Sequence, residues 1–104
     1  MKRGEIWWAE LQKPAGKRPV VLLSRDEAYL VRNLVTVAPL TTRIRDIPVE
    51  VSLDERDGVP KKCVVNLDMI MTIEKQILTE RICHLSEEKS KQVDDSIRFA
   101  LGMD

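Results

Sequence analysis

The sequence predicts a mainly β protein of the α+β class: a small, strongly bent antiparallel sheet followed by one C-terminal α-helix. Three observations carry this expectation. Short apolar, β-branched runs recur between Gly4 and His84, each bounded by Gly, Pro or polar clusters. A sustained helical period appears only after Ser86. At 104 residues there is room for one core and no second, so residues 1–104 are expected to form a single domain. A domain of that size buries about two thirds of its unfolded surface, so it can fold alone with modest stability, and pairing as a homodimer is consistent with that.

The elements follow in order. Gly4 to Leu11 alternates as a first strand, and Trp7 and Trp8 fall on opposite faces, one toward the core and one partly exposed, the exposed one open to stacking on a base or to a dimer contact, with core or subunit packing the expected role of each. Gln12 to Lys17 is a loop turned by Pro14 and Gly16. Val20 to Ser24 and Leu34 to Leu40 are the second and third strands, joined by a helical or looped Asp26–Arg32, with Pro39 near the end of the third where a missing donor is tolerated. Thr41 to Ile47 is a basic loop. Pro48 to Leu53 alternates with period two, turning Glu50 and Ser52 outward. Asp54 to Lys62 is a loop around Asp57-Gly58 and Pro60, and Cys63 to Leu67 is the fifth strand. Asp68 to Ile70 forms a short turn or helix that Asn66 and Asp68 fix through side-chain bonds to backbone; Met71 to Ile73 returns extended and Glu80 to His84 is the last strand. Ser86 caps the helix ahead of Glu87 and Glu88, whose charges suit its N-terminus. Val93, Ile97, Ala100 and Leu101 form its apolar stripe, and Gly102 stops it.

Charge and cysteine usage narrow the function. With 43% hydrophobic and 33% charged residues the chain is neither disordered nor a membrane protein, and no apolar run or signal core directs it out of the cytoplasm. The net charge of zero conceals an imbalance: residues 1–45 hold nine basic and four acidic side chains, residues 46–104 eight and thirteen. The basic half suits an anionic partner, and the acidic half offers no comparable anion site. Cys63 and Cys83 lack metal-ligand spacing and lie in apolar runs, so buried thiols are expected. His84 and Cys83, being neighbours on a strand, point to opposite faces, and one histidine with two separated cysteines makes no zinc site.

The stretch Gly16 to Thr42 organises the rest. Arg18 precedes one apolar run and Thr41 follows the other, so antiparallel pairing brings the two to one sheet edge. Pro19 fixes its own φ and biases Arg18 toward an extended backbone, giving the guanidinium a stiff mount. Arg offers a planar fork matched to phosphate oxygens and Thr one short hydrogen bond. RNA brings its own nucleophile, because a 2′-hydroxyl can displace the adjacent 5′-oxygen and leave a 2′,3′-cyclic phosphate without a metal or a covalent enzyme intermediate. The protein must align that hydroxyl, stabilise the phosphorane and assist proton transfer.

The segments KRGEIWW, GKRPVVLLS, VTVAPLTT, IPVEV, ERDGV and VVNLDMIMTIEK, in this order, resemble the MazF/PemK family of bacterial toxins over roughly residues 2 to 101. That family consists of sequence-selective endoribonucleases with an SH3-like β-barrel and a C-terminal helix. The resemblance implies Arg18 and Thr41 as catalytic residues, no cofactor, single-stranded RNA as substrate, a homodimer, and a cognate antitoxin whose acidic tail covers the RNA groove. A guanidinium is almost never neutral and is a poor general base, so phosphate clamping fits Arg18 better. Relatives often carry a longer loop after the first strand with a Glu-Gln pair. Here the loop is Gln12 to Lys17, without a carboxylate, which leaves Glu10 as the nearest candidate base. Gln12, Lys17, Ser24, Arg25, Thr42 and Arg43 are candidate RNA contacts. Two alternatives share the barrel without the reaction: a gyrase poison resembling CcdB, disfavoured by the missing Trp near the C-terminus, and a non-catalytic SH3-like binding module.

Overall fold

The computed structural model describes residues 1–104. Its strands are β1 (Glu5–Glu10), β2 (Lys17–Leu22), β3 (Leu34–Thr41), β4 (Glu50–Leu53), β5 (Cys63–Asn66), β6 (Met71–Glu74) and β7 (Leu78–His84); its α-helices are α1 (Ala28–Val31) and α2 (Glu87–Ala100). Three short 3₁₀ turns, Glu55–Asp57, Leu67–Met69 and Lys75–Ile77, join the later strands. The sheet runs in the order β4-β5-β3-β2-β1-β7 with every pair antiparallel, and β6 adds to β3 outside that path.

The expectation of a mainly β fold with a terminal helix holds, but the word barrel is loose: the sheet does not close, because β4 and β7 each have only one neighbour. The bend comes from β3. Its first half, Leu34 to Val37, pairs with β6, and its last two residues, Leu40 and Thr41, pair with β5, while Val37 to Pro39 pair with β2.

Burial on both faces explains why β2 reads as an unbroken apolar run. Val21 joins a cluster with Ile6, Ala38, Leu40, Val65 and Val93 beneath α2. Val20 and Leu22 join Ala9, Tyr29, Val35 and Val37 on the other face, covered by α1. The tryptophans divide as their alternation requires, though both end up half-buried. Trp7 packs against the second cluster and donates its indole N–H to Glu5 Oε1 at 2.9 Å. Burial would push the Glu5 carboxyl up, but this bond, the Lys2 backbone N–H, the N-terminal amine and Arg81 together hold it below the usual carboxylate range.

Local chemistry fixes the turns and the helix. The Asp54 side chain accepts from the turn it opens while the Asp57 side chain accepts from the Asp54 N–H, a reciprocal capping box. Gly58 then takes φ of 102°, and a Cβ there would stand 2.7 Å from Cys83 Cβ, so only glycine fits. Asn66 Oδ1 accepts the Asp68 N–H at 3.0 Å. Ser86 Oγ caps α2 by accepting the Lys89 N–H at 3.1 Å.

Three expectations are corrected. β2 begins at Lys17, so Arg18 and Pro19 are strand residues and not a lead-in; the β2–β3 ladder starts only at Val20, and Pro19 is tolerated where β2 is paired on one side. β7 begins at Leu78, two residues earlier than read, because Leu78 pairs with Ala9 and is buried. On α2 the buried positions are Val93 and Ser96; Leu101 is exposed because it caps the helix end. Ser96 tolerates burial by donating to the Pro48 carbonyl at 3.1 Å.

Candidate functional site

Strand register builds the site. Val20 faces Pro39 across β2 and β3; the same register carried two residues outward sets Arg18 across from Thr41, on one face of the sheet. β5 reaches the other side of this edge by pairing Val64 with Thr41. Two open hollows adjoin the pair, and Arg18 and Thr41 border both. The first, of about 300 Å³, is completed by Trp8, Lys17, Thr42, Lys61 and the head of β5 at Cys63. The second, of about 500 Å³, lies toward Arg43, Arg45, Met69, Met71 and the β1–β2 loop.

The cations at this edge are electrostatically unsatisfied. The four ion pairs of the chain are Arg3–Asp94, Arg56–Asp54, Arg81–Glu5 and Arg98–Asp95, all elsewhere. Lys17, Arg18, Arg43, Arg45 and Lys61 border the hollows without a carboxylate partner. Their combined field favours an anion, and arginine forks match the paired oxygens of phosphates and carboxylates. Thr41 Oγ1 accepts the Arg43 backbone N–H at 3.1 Å, which leaves its own O–H free to donate. Glu50 shapes the basic loop: its Oε1 accepts from both Arg45 N and Asp46 N at 2.9 Å. A side chain read as merely outward is therefore the clamp of this loop.

The candidate residues separate into two groups. Lys17, Arg18, Thr41, Thr42 and Arg43 come together at the hollows. Ser24 and Arg25 do not, since β2 carries them about 20 Å from Arg18. Ser24 Oγ instead accepts the Thr36 N–H at 2.8 Å and is a structural ligand of β3. Gln12 is exposed on the β1–β2 loop, with its carbonyl accepting from Ala15 and Gly16. Glu10 is exposed at the end of β1 opposite Lys17 and borders neither hollow.

Sequence reasoning missed Lys61, counted Arg45 only among the cations of the basic half, and left open which of Trp7 and Trp8 is exposed; the hollow is bordered by Trp8. Lys61 comes from the acidic half and joins the basic edge, which half-chain charge sums do not reveal because they ignore the pairing that places the head of β5 beside Thr41. Burial pushes both thiols up, Cys63 also because of Asp57 and Cys83, so neither is poised as a nucleophile. No cluster of three or more His, Cys, Asp and Glu side chains is placed to hold a metal ion, and no helix is long and apolar enough to cross a membrane.

An antiparallel sheet whose edge gathers unpaired cations and a donor hydroxyl over two open hollows defines a protein with an anion-binding edge. Its family is shown by comparison: residues 2–101 match the PemK-like, MazF-like toxins of type II toxin-antitoxin systems, and the chain belongs to that family. It is 36% identical over 100 residues to the probable endoribonuclease MazF5 of Mycobacterium tuberculosis, covering 95% of this chain and 91% of the relative. It is 32% identical over 111 residues to endoribonuclease EndoA of Bacillus subtilis, covering 99% and 96%. The solved Mycobacterium tuberculosis toxin MazF-mt6 superposes with a TM-score of 0.88 at 31% identity, covering 96% and 98%. Neither the gyrase-poison nor the binding-module alternative draws support from these likenesses.

Proposed function

We propose that this chain is a cytoplasmic endoribonuclease, the toxin half of a toxin-antitoxin pair, that cuts single-stranded mRNA at the Arg18–Thr41 edge. The supporting observation is the placement of these two side chains at the edge of both hollows, among cations that have no carboxylate partner. In this reading the 2′-oxygen attacks the adjacent phosphorus as its proton departs, and the P–O5′ bond breaks as the 5′-oxygen gains a proton. The products are a 2′,3′-cyclic phosphate and a 5′-hydroxyl. Arg18 grips the non-bridging oxygens and stabilises the charge that grows on them, and the Thr41 hydroxyl donates to the same group. Holding the linkage in line between the hollows supplies the entropic part of the acceleration. Lys17, Thr42, Arg43, Arg45 and Lys61 hold the flanking backbone.

The same cations attract an acidic antitoxin segment, so one surface serves both substrate and inhibitor. A homodimer sets two such edges in one particle. The test is incubation of purified protein with a long single-stranded RNA in EDTA. Discrete fragments ending in cyclic phosphate support the reading, and intact RNA ends it. A 2′-deoxy substitution at the cleaved nucleotide should block cutting but permit binding.

A further inference from the structure

Resting on that reading and extending it, we propose that the indole of Trp8 is a stacking platform for a nucleobase flanking the cleaved linkage, with Lys17 covering the platform when no RNA is bound. Of the two adjacent indoles only Trp8 borders a hollow that Arg18 and Thr41 also border; it shares a sheet face with Pro19 and Lys17 and meets the pair at the sheet edge. Trp7 is held in place by Glu5 and packs into the second core cluster. Trp8 lies opposite Pro19 in the β1–β2 ladder and borders the hollow that Arg18 and Thr41 also border.

Lys17 is the diagonal neighbour of Trp8 across that ladder, and its Nζ sits 5.3 Å from the centre of the indole ring. An ammonium rests there because the ring face is electron-rich and otherwise uncovered. The lysine is exposed and makes no ion pair, not even with Glu10 opposite it in the ladder, so a planar ligand can take its place at small cost. A released ammonium would then stand beside the anionic linkage that carries the incoming base. Pro19, Leu40 and Pro60 add apolar wall to the same hollow, and Thr42 and Lys61 line it as well, so it offers contacts to a ring and to a phosphate side by side. The ligand class that presents a flat ring and an anion together is a nucleotide within a strand. Every base has a π-face, so this platform gives affinity and register, not identity.

The test uses an oligonucleotide made uncleavable by one 2′-deoxy substitution at a mapped cut site, and derivatives abasic at either flanking position. Stacking on one aromatic ring corresponds to roughly 5- to 150-fold in affinity. For a half-exposed indole the expected loss by fluorescence anisotropy is about tenfold at one abasic position and little at the other. Trp8→Leu should bind the intact oligonucleotide about as weakly as wild type binds the abasic one, and should no longer distinguish them; Trp8→Phe should. In Trp7→Phe, where Trp8 is the sole tryptophan, the intact strand should quench indole fluorescence more than the abasic strand does. Equal binding of all strands by wild type and Trp8→Leu, or saturation without quenching, overturns the platform and leaves the nuclease reading standing if RNA is still cut in EDTA. Failure of wild type to bind or cut any RNA removes both.

Discussion

Replacing Arg18 with alanine separates chemistry from folding more cleanly than any other change. The side chain is half-buried but makes no hydrogen bond or ion pair within the chain, so its loss leaves no orphaned partner. Neighbouring cations Lys17, Arg43, Arg45 and Lys61 repel it, which offsets the packing lost with its stem. Stability should therefore change by no more than about 0.5 kcal/mol, the usual range for a surface substitution. In a domain of this length that keeps the melting temperature within about 4 °C. The rate should fall far more: removing one preorganised donor to a developing oxyanion costs about 10²- to 10³-fold, or roughly 3–4 kcal/mol. Arg18→Lys keeps the charge but loses the fork, and should recover only part of that loss. The assay is single-turnover cleavage of an end-labelled RNA in EDTA at saturating protein, beside a thermal melt of the same preparation. Cleavage by Arg18→Ala within a few-fold of wild type would remove the guanidinium from the mechanism. A melting point lowered by much more than 4 °C would instead make it a structural residue.

Four further outcomes follow. Thr41→Val keeps the shape and removes the donor, so single-turnover cleavage should slow by about 10- to 150-fold, as for a lost hydrogen bond to a charged group. If all five unpaired cations at the hollows engage phosphates, log K for a single strand should fall against log salt with a slope near about −3.5, and Lys61→Ala should lessen it by about 0.7, read from anisotropy titrations. Glu50→Ala frees the Arg45 and Asp46 amides, so oligonucleotide affinity should drop while the melting temperature moves little; an unchanged affinity would show that the loop needs no clamp. Burial raises the Tyr29 hydroxyl to about 12. The folded protein keeps that proton when the unfolded chain releases it near pH 10, so stability is full below about pH 10 and falls as pH rises toward 12. Denaturant melts of Tyr29→Phe should lack this decline.

The parts of the fold that could be read in the sequence are those whose signals are local. Ser86 with Glu87 and Glu88 marks the start of α2, Pro48 to Leu53 declares a half-buried strand, and Asn66 with Asp68 announces the turn it makes. Arg18 and Thr41 were legible as a pair because two apolar runs of similar length, joined by a short connection, constrain which ends can meet. What escaped is set by long-range pairing. Lys61 sits in a polar run of an acidic half, and only the β3–β5 ladder shows that it faces the basic edge. Ser24 and Arg25 are near Arg18 in number but at the opposite end of an extended strand. Glu50 obeys the outward alternation of β4, and its two backbone bonds depend on the path of the preceding loop.

The triple pairing of β3 has a mechanical consequence. One strand contributes to both hydrophobic clusters and pairs with three others, β2, β5 and β6, so it acts as the keel of the molecule. Thr41 is the last residue of that keel, and a hydroxyl fixed there cannot drift unless the body it belongs to comes apart. Aim at the target is thus inherited from the interior, and the surface loops are left free to vary in what they touch.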